Sequence, residues 1–157
     1  MTCHNRRAKT LRCLEKLEEQ EDLNNITLTV FLTDDGSTDG TAEAVREKFR
    51  GVHLLEGDGM LYWTRGMHKA MAAAMAEGFD FYLWLNDDVT LYENALAILL
   101  ATYIIQREQH GLGIVAGSLC DPETGEWTYG ASEKTYSWYK LRFSPLKPSS
   151  SIQEADN

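Results

Sequence analysis

Two acidic clusters each follow a run of apolar and β-branched residues that predicts a buried strand. Asp35 comes soon after residues 27–32, and Asp87 and Asp88 come soon after residues 79–85. In open α/β sheets, ligands bind in the crevice beyond the carboxyl ends of the strands. Carboxylates gathered at such an edge therefore predict a divalent metal ion and a nucleotide at this site.

The first cluster combines a ligand candidate with helix-capping candidates. Asp34 and Asp35 are adjacent, and neighbouring carboxylates repel each other unless a cation or hydrogen-bond donors offset the repulsion. We therefore favour a ligand role for Asp35, whose carboxylate can accept from a base N–H or a ribose hydroxyl. Capping of the following helix explains Ser37, Thr38 and Asp39 equally well.

The second cluster, Asp87 and Asp88, is the stronger metal candidate. The helix dipole favours acids near a helix N-terminus, but it accounts for one acid better than for two. Mg²⁺ is commonly held by one or two carboxylates together with substrate phosphate oxygens. We interpret the pair as a site for Mg²⁺ or Mn²⁺. The formal net charge of −9 agrees, because an acidic protein holds a diphosphate most readily through a cation.

Other candidate site residues are less specific. Arg65 precedes a predicted helix, and its planar guanidinium could reach a diphosphate, although a solvated surface arginine fits equally well. His4 ends the first short strand, at the same edge as Asp35. The segment 57–62 lacks a dinucleotide fingerprint, because Tyr62 occupies the third glycine position. No serine nucleophile or Cys–His pair is readable.

The elements that position these residues alternate between strand and helix. Strands are predicted at residues 1–4, 26–33, 52–56, 79–85 and 114–119, helices at 7–21, 41–49, 66–77 and 93–109, and a hairpin at 121–129. This alternation predicts an α/β fold, with a mostly parallel central sheet and helices on both faces. The first strand is unusually short, so we interpret it as truncated.

Composition narrows the class of protein. The chain has 157 residues, the size of one domain, and its acidity argues against nucleic acid as a partner. The cysteines are odd in number at unrelated spacings, no stretch is long and apolar enough to span a bilayer, and no signal peptide is visible. We expect a cytoplasmic protein, with a peripheral position at the inner face of the membrane as the alternative.

Three segments in this order resemble family 2 glycosyltransferases: residues 1–6, 33–41 and 84–88. The family has the GT-A fold, which binds a nucleotide-sugar. Residues 57–63 are similar to a bacterial, rhamnosyltransferase-like branch of this family. This similarity implies a role in cell-surface polysaccharide biosynthesis. The resemblance implies a nucleotide-diphosphate sugar as donor, a hydroxyl of a glycan or lipid-linked glycan as acceptor, and inverting transfer between them.

The resemblance also implies roles for residues of the nucleotide site. Thr2 and His4 would line the nucleoside site, with the His4 ring against the base or ribose. Asp35 would bind the base edge or ribose, and Arg65 would approach the diphosphate.

The Asp-x-Asp motif of the family corresponds here to Asp87 and Asp88. Asp88 would be the direct ligand of Mg²⁺ or Mn²⁺, and Asp87 would contact the ribose or donor sugar beside the metal. The metal would act as a Lewis acid that neutralises the leaving diphosphate.

The chain departs from the family pattern at both ends. We expect a donor domain over residues 1–144, with the acceptor part missing, and a flexible tail over residues 145–157. An incomplete first strand would leave an apolar face, which makes a homodimer one expected state. An inverting transfer needs a general base, and none of the acids shortly after the metal motif matches it: Asp121, Glu123, Glu126 and Glu133.

The catalytic base is therefore unassigned, and two other functions stay open. The chain could be a non-catalytic nucleotide-sugar-binding remnant. A phosphoacceptor receiver domain is less favoured, because the acid pair follows the second readable strand and the late strand ends in Cys120 and Asp121 instead of a lysine.

Overall fold

The computed structural model describes residues 1–24, 26–111, 113–121, 123–130, 132–137 and 140–145. The chain divides into two compact units between Ala97 and Ile98. In chain order the elements are β1 (Thr2–Cys3), α1 (Arg7–Glu18), β2 (Val30–Asp34), α2 (Thr41–Lys48), β3 (Val52–Glu56), α3 (Tyr62–Glu77), α4 (Ala95–His110), β4 (Leu119–Cys120), β5 (Trp127–Tyr129), β6 (Ser132–Ser137) and β7 (Lys140–Pro145). No helix within these described ranges is long and apolar enough to cross a membrane.

The first unit is built on a parallel sheet with the strand order β1-β2-β3. Thr2 pairs with Thr33 at one side of β2, and Asp34 pairs with Glu56 at the other. Because the strands are parallel, their carboxyl ends lie at a single edge. This arrangement confirms the predicted α/β class.

Helices cover both faces of this sheet, as the alternation of side chains along β1 shows. Met1 and Cys3 belong to a buried cluster, while Thr2 lies between them in sequence and must face the other way. Thr2 contacts α3 at Gly66, where a Cβ atom would come within 2.2 Å of the Thr2 hydroxyl oxygen. The buried cluster is formed with α1, α2 and β2 by Cys13, Leu14, Leu17, Leu32, Val45, Phe49 and Leu85.

The strand predicted at residues 79–85 is not formed. In the described part of the chain, no strand pairing includes these residues. The sheet edge at β1 is short, because β1 pairs with β2 over two residues only, and so it offers little backbone for a fourth strand. The segment packs through its side chains instead: the Phe79 and Phe31 ring centroids are 5.9 Å apart, and Leu85 is buried.

The second unit contains two antiparallel hairpins. β4 pairs with β5, with Asp121 N–H donating to the Glu126 carbonyl at 2.8 Å across the turn, which confirms the predicted hairpin. The strand predicted at residues 114–119 is wrong in extent, because strand pairing begins only at Leu119. β6 pairs with β7 and was not predicted. The predicted tail lies outside the described residues, apart from Pro145.

Candidate functional site

The residues that follow β1, β2 and β3 meet at the carboxyl edge of the sheet. The backbone N–H of Asp35 donates to the Cys3 carbonyl at 2.9 Å, and the N–H of Gly57 donates to the Asp34 carbonyl at 2.7 Å. These two bonds extend the strand ladder by one step beyond its paired residues. Asp35 therefore lies between the ends of the two neighbouring strands, where the sequence predicted a binding crevice.

The carboxylate of Asp35 is enclosed by the loop that leads from β3 to α3. Its Oδ1 accepts from the backbone N–H of Gly59 at 2.9 Å and of Leu61 at 3.2 Å. Its Oδ2 accepts from Leu61 at 3.0 Å and Tyr62 at 2.9 Å. The loop approaches closely at Gly57, where a Cβ atom would lie 2.5 Å from Asp35 Oδ1.

This enclosure fixes the charge state and the contacts of Asp35. The residue is only 3% exposed, and burial by itself raises the pKa of a carboxyl group. The N–H groups of Tyr62, Leu61 and Gly59 act in the opposite direction and hold the pKa of Asp35 below its ordinary value. Both oxygens of the ionised carboxylate thus already accept hydrogen bonds from the protein's own loop. This favours a positioning role for Asp35 over direct contact with a base or ribose.

His4 is tied to the same edge through both ring nitrogens. Asn5 Oδ1 accepts from Thr38 N–H at 2.7 Å, so the Asn5 amide presents its NH₂ group to His4 Nε2 at 3.1 Å. Nε2 is therefore an acceptor, and Nδ1–H donates to the Asp35 carbonyl at 2.5 Å. These two contacts fix the orientation of the His4 ring. They also place the His4 ring beside Asp35, as the sequence predicted.

The second acidic cluster lies against the start of α1. Asp87 is 4% exposed, and its Oδ2 accepts from the Thr10 hydroxyl at 3.2 Å. Arg6 Nη1 donates to Asp87 Oδ1 at 3.3 Å and to Asp88 Oδ2 at 3.0 Å. Lys9 Nζ lies 3.9 Å from the same Asp88 oxygen. The two acids therefore face two cationic side chains, from Arg6, which directly precedes α1, and from Lys9 in its first turn.

The electrostatics of Asp87 reflect this crowding. Burial raises the pKa of Asp87 above its ordinary value, and the charge of Asp88 acts in the same direction. The guanidinium of Arg6 and the Thr10 hydroxyl oppose this rise but do not cancel it. A further positive charge near the pair would favour the ionised form of both carboxylates.

The donor set fits a Mg²⁺ or Mn²⁺ ion that takes most of its ligands from substrate and water. The described residues contain no group of three or more potential metal-binding side chains, so a fully enclosed cage is absent there. Such a cage is not required, because Mg²⁺ is commonly bound by one or two carboxylates plus phosphate oxygens. The side chain of Asp88 is 34% exposed and offers the accessible oxygen, while Asp87 lies deeper.

Two short routes connect the acidic clusters. Along the first, His4 bonds to Asp35, and Arg6, two residues later, bonds to Asp87 and Asp88. Along the second, the N–H of Tyr62 bonds to Asp35, and the indole N–H of the next residue, Trp63, donates to Asn86 Oδ1 at 2.9 Å. The structure therefore brings Asp35, His4 and the Asp87–Asp88 pair to one region of the first unit.

Thr2 and Arg65, the remaining predicted residues, are engaged elsewhere. The Thr2 hydroxyl is buried and donates to the Thr33 carbonyl at 3.1 Å. The guanidinium of Arg65 is exposed and donates to the Met60 carbonyl. Thr2 thus supports the packing of α3 on β1, and Arg65 extends from the first turn of α3 toward the 57–61 loop.

Arg6 and Thr10 contact the acidic pair, although the sequence did not single them out. Thr10 is completely buried on α1, where a polar residue on an otherwise apolar helix face was the available signal. Arg6 lies three residues after the end of β1 and directly before α1, so its side chain begins near the edge where the acids gather. The contacts of both residues span more than 75 positions in sequence, which local patterns do not report.

Comparison with known families gives one match, which spans almost the whole chain. A sequence model described as Glycosyl transferase family 2 matches residues 1–155. Comparison with curated proteins and with solved structures finds no significant match. The parallel sheet flanked by helices, with acids at its carboxyl edge, is consistent with the GT-A-type fold of that family. The chain belongs to glycosyl transferase family 2 and is a glycosyltransferase domain.

Proposed function

We propose that this domain binds a nucleotide-diphosphate sugar together with Mg²⁺ or Mn²⁺ at the carboxyl edge of β1 and β2. The sugar is then transferred, with inversion, to a hydroxyl of a glycan or lipid-linked glycan. The observation that carries the proposal is the position of residues 4–6, which contact both acidic clusters: His4 bonds to Asp35, and Arg6 bonds to Asp87 and Asp88.

Each predicted residue takes a part that its contacts support. Asp88 offers an accessible carboxylate oxygen to the metal, and Asp87 lies beside it in the buried wall of the site. A divalent ion held there would offset the charge that develops on the leaving diphosphate. His4 forms the nucleoside end of the site, whereas the buried Thr2 hydroxyl bonds to the Thr33 carbonyl and its side chain packs against α3.

Asp35 and Arg65 contribute through the loop between β3 and α3. Asp35 accepts from the N–H groups of Gly59, Leu61 and Tyr62, and it thereby fixes the backbone at the start of α3. Arg65 lies in the first turn of that helix and is exposed, so its guanidinium is free to move from the Met60 carbonyl to a diphosphate. Its planar fork matches phosphate oxygens in a bidentate contact.

A second candidate function is nucleotide-sugar binding without transfer. Asp121, one of the acids that follow the metal motif, is committed to its own turn. Its Oδ1 accepts from the N–H groups of Glu123 and Thr124 at 2.9 and 2.8 Å. The Thr124 and Glu123 N–H groups hold the pKa of Asp121 below its ordinary value, which makes it a weak general base. This observation favours a domain that binds the donor and does not complete the transfer.

Calorimetry with uridine, guanosine and thymidine diphosphates, each with and without Mn²⁺, tests the binding proposal. We expect metal-dependent binding of at least one of them. Asp88→Asn should weaken that binding about tenfold or more, because a direct metal ligand is lost, while Glu47→Gln on α2 should leave it unchanged. Absence of metal-dependent heat with all three nucleotides would refute the proposal.

Donor hydrolysis separates the two candidate functions. Slow, metal-dependent release of free sugar from a nucleotide-sugar library supports an enzyme, whereas tight binding without hydrolysis supports a binding domain. The similarity of residues 57–63 to the rhamnosyltransferase-like branch makes deoxysugar donors the first to test. We further propose a reducing, cytoplasmic setting for this activity, because the odd number and unrelated spacings of the cysteines do not suggest a disulfide framework.

A further inference from the structure

Arg6 occupies the position between the two carboxylates that the proposed metal would need. A single nitrogen, Nη1, donates to Asp87 Oδ1 at 3.3 Å and to Asp88 Oδ2 at 3.0 Å. The other Asp87 oxygen is held by the Thr10 hydroxyl. An ion shared by both acids would therefore compete with Arg6 for Asp87 Oδ1.

The acidic pair needs a counter-charge before any metal binds. Adjacent carboxylates repel each other, and an unpaired buried charge is strongly unfavourable. Asp87 is buried, and the described cationic groups that contact the pair are Arg6 and the more distant Lys9. Arg6, with Lys9 farther away, thus supplies the counter-charge of the pair in the absence of a metal.

The exposure of Arg6 shows that this contact can be exchanged. Its side chain is 49% exposed, compared with 6% for Asp87, so the guanidinium can leave the pair without entering the core. A divalent cation bound at the pair supplies the counter-charge that Arg6 gives up, so Asp87 is not left as an unpaired buried charge. A divalent cation that binds both carboxylates would therefore displace Arg6 at modest cost.

We propose that Arg6 is a built-in counter-ion that the divalent metal displaces, and that the released guanidinium then binds the diphosphate of the donor. The inference rests on the proposed function, because it needs a metal and a diphosphate at this site. It assigns Arg6 a different action in each state: it competes with free metal and assists the metal–diphosphate complex. Arginine suits the second action, since its donors match phosphate oxygens.

Because Arg6 would act in opposite ways on the two ligands, its removal should change the affinities for metal and for nucleotide in opposite directions. Arg6→Gln removes the competitor, so the variant should bind Mn²⁺ alone about fivefold more tightly, the factor that corresponds to about 1 kcal/mol. The same variant should bind nucleoside diphosphate in the presence of Mn²⁺ more weakly, again by about fivefold or more. Arg12→Gln is the matched control, because Arg12 is an exposed arginine of α1, the helix that begins directly after Arg6. This variant should change neither affinity.

Mn²⁺ binding is measured on the full chain by electron paramagnetic resonance, and nucleotide binding by calorimetry at saturating Mn²⁺. Wild-type binding of Mn²⁺ and nucleotide tests the proposed function, and the comparison with Arg6→Gln tests the inference. If wild type binds both but Arg6→Gln binds Mn²⁺ no more tightly, the inference is wrong and the function stands. If wild type binds neither, both are wrong. A variant that binds both ligands more weakly indicates a purely structural Arg6 and also refutes the inference.

A second measurement needs no variant and covers the case in which Arg6→Gln does not fold. Side-chain NMR of ¹⁵N-arginine-labelled wild type follows each guanidinium during a Mg²⁺ titration. We expect the Arg6 signal to shift toward that of a free guanidinium while the Arg12 signal stays in place. An Arg6 signal that does not move at saturating Mg²⁺ would overturn the displacement.

Discussion

The carboxylate of Asp35 gives the sharpest stability prediction, because replacement by asparagine changes one oxygen and little else. Gly59 N–H bonds only to Oδ1 and Tyr62 N–H only to Oδ2, while Leu61 N–H is shared between them. In Asp35→Asn an NH₂ group replaces one of these oxygens. Whichever way the amide turns, a backbone N–H loses its acceptor and faces another donor.

The expected cost follows from these contacts. A buried donor left without a partner costs about 1–3 kcal/mol, and hydrogen bonds to a charged acceptor exceed neutral ones by about 1 kcal/mol each. The loop can relax toward water and recover part of this loss. We therefore expect Asp35→Asn to lower the free energy of unfolding by about 3 kcal/mol, a large fraction of the usual stability of a domain.

Urea unfolding measures this change, and hydrogen exchange locates it. The amides of Gly59, Leu61 and Tyr62 should lose protection in Asp35→Asn. Asp58→Asn is the control in the same loop, because Asp58 also accepts a backbone N–H, from Met60 at 2.9 Å, but does so at the surface; its cost should stay near 0.5 kcal/mol. Equal stabilities of the two variants, or unchanged protection of the three amides, would refute the role assigned to Asp35.

Two further predictions concern pH and helix packing. The pKa of Asp35 is lowered on folding, so its stabilisation is complete above the unfolded value of about 3.9 and is lost as pH falls through the folded value. The difference in unfolding free energy between wild type and Asp35→Asn should thus persist from pH 7 to about pH 4 and shrink below it; a difference that shrinks between pH 7 and 5 would contradict this. Gly66→Ala should destabilise by about 2 kcal/mol in urea unfolding, because the new Cβ would lie 2.2 Å from the Thr2 hydroxyl oxygen. Gly51→Ala is its control, with no atom within 4 Å, and equal effects of the two would argue against close packing of α3 on β1.

The sequence predicts most elements of the first unit, because their signals are local, but not all of their bounds. β3 is formed at Val52–Glu56 and Gly78 ends α3, as predicted. β2 begins at Val30, four residues later than predicted, and α3 begins at Tyr62, four residues earlier than predicted. The buried face of α1 is predicted only in part. Apolar residues recur every three positions along this helix, which predicts a buried face formed by Ala8, Leu11, Leu14 and Leu17. Leu14 and Leu17 are buried, but the face continues through Cys13 and Thr10 instead of Leu11 and Ala8. Thr10 is buried because it donates to Asp87, a contact far away in sequence.

The sequence predicts that His4 and Asp35 lie at one edge of the sheet, but it does not predict the contacts that surround them. Parallel strands place His4 and Asp35 at one edge, and strand order alone is enough to foresee this. The loop that encloses Asp35, at residues 59–62, lies 24 to 27 residues later in the sequence. No periodic pattern in the sequence predicts this contact. The contacts of Arg6 with Asp87 and Asp88 are equally distant in sequence. The sequence therefore does not predict that Arg6, within the 1–6 segment, contacts the acidic pair.

The central claim is that both acidic clusters belong to one metal–nucleotide site. The most direct measurement is the anomalous difference map of a crystal soaked with Mn²⁺ and the nucleoside diphosphate that binds in calorimetry. We expect one strong peak within coordination distance of the Asp88 carboxylate, with the diphosphate on its far side and the nucleoside beside His4. A manganese peak remote from Asp88, or a nucleotide bound away from the β1–β2 edge, would contradict the account.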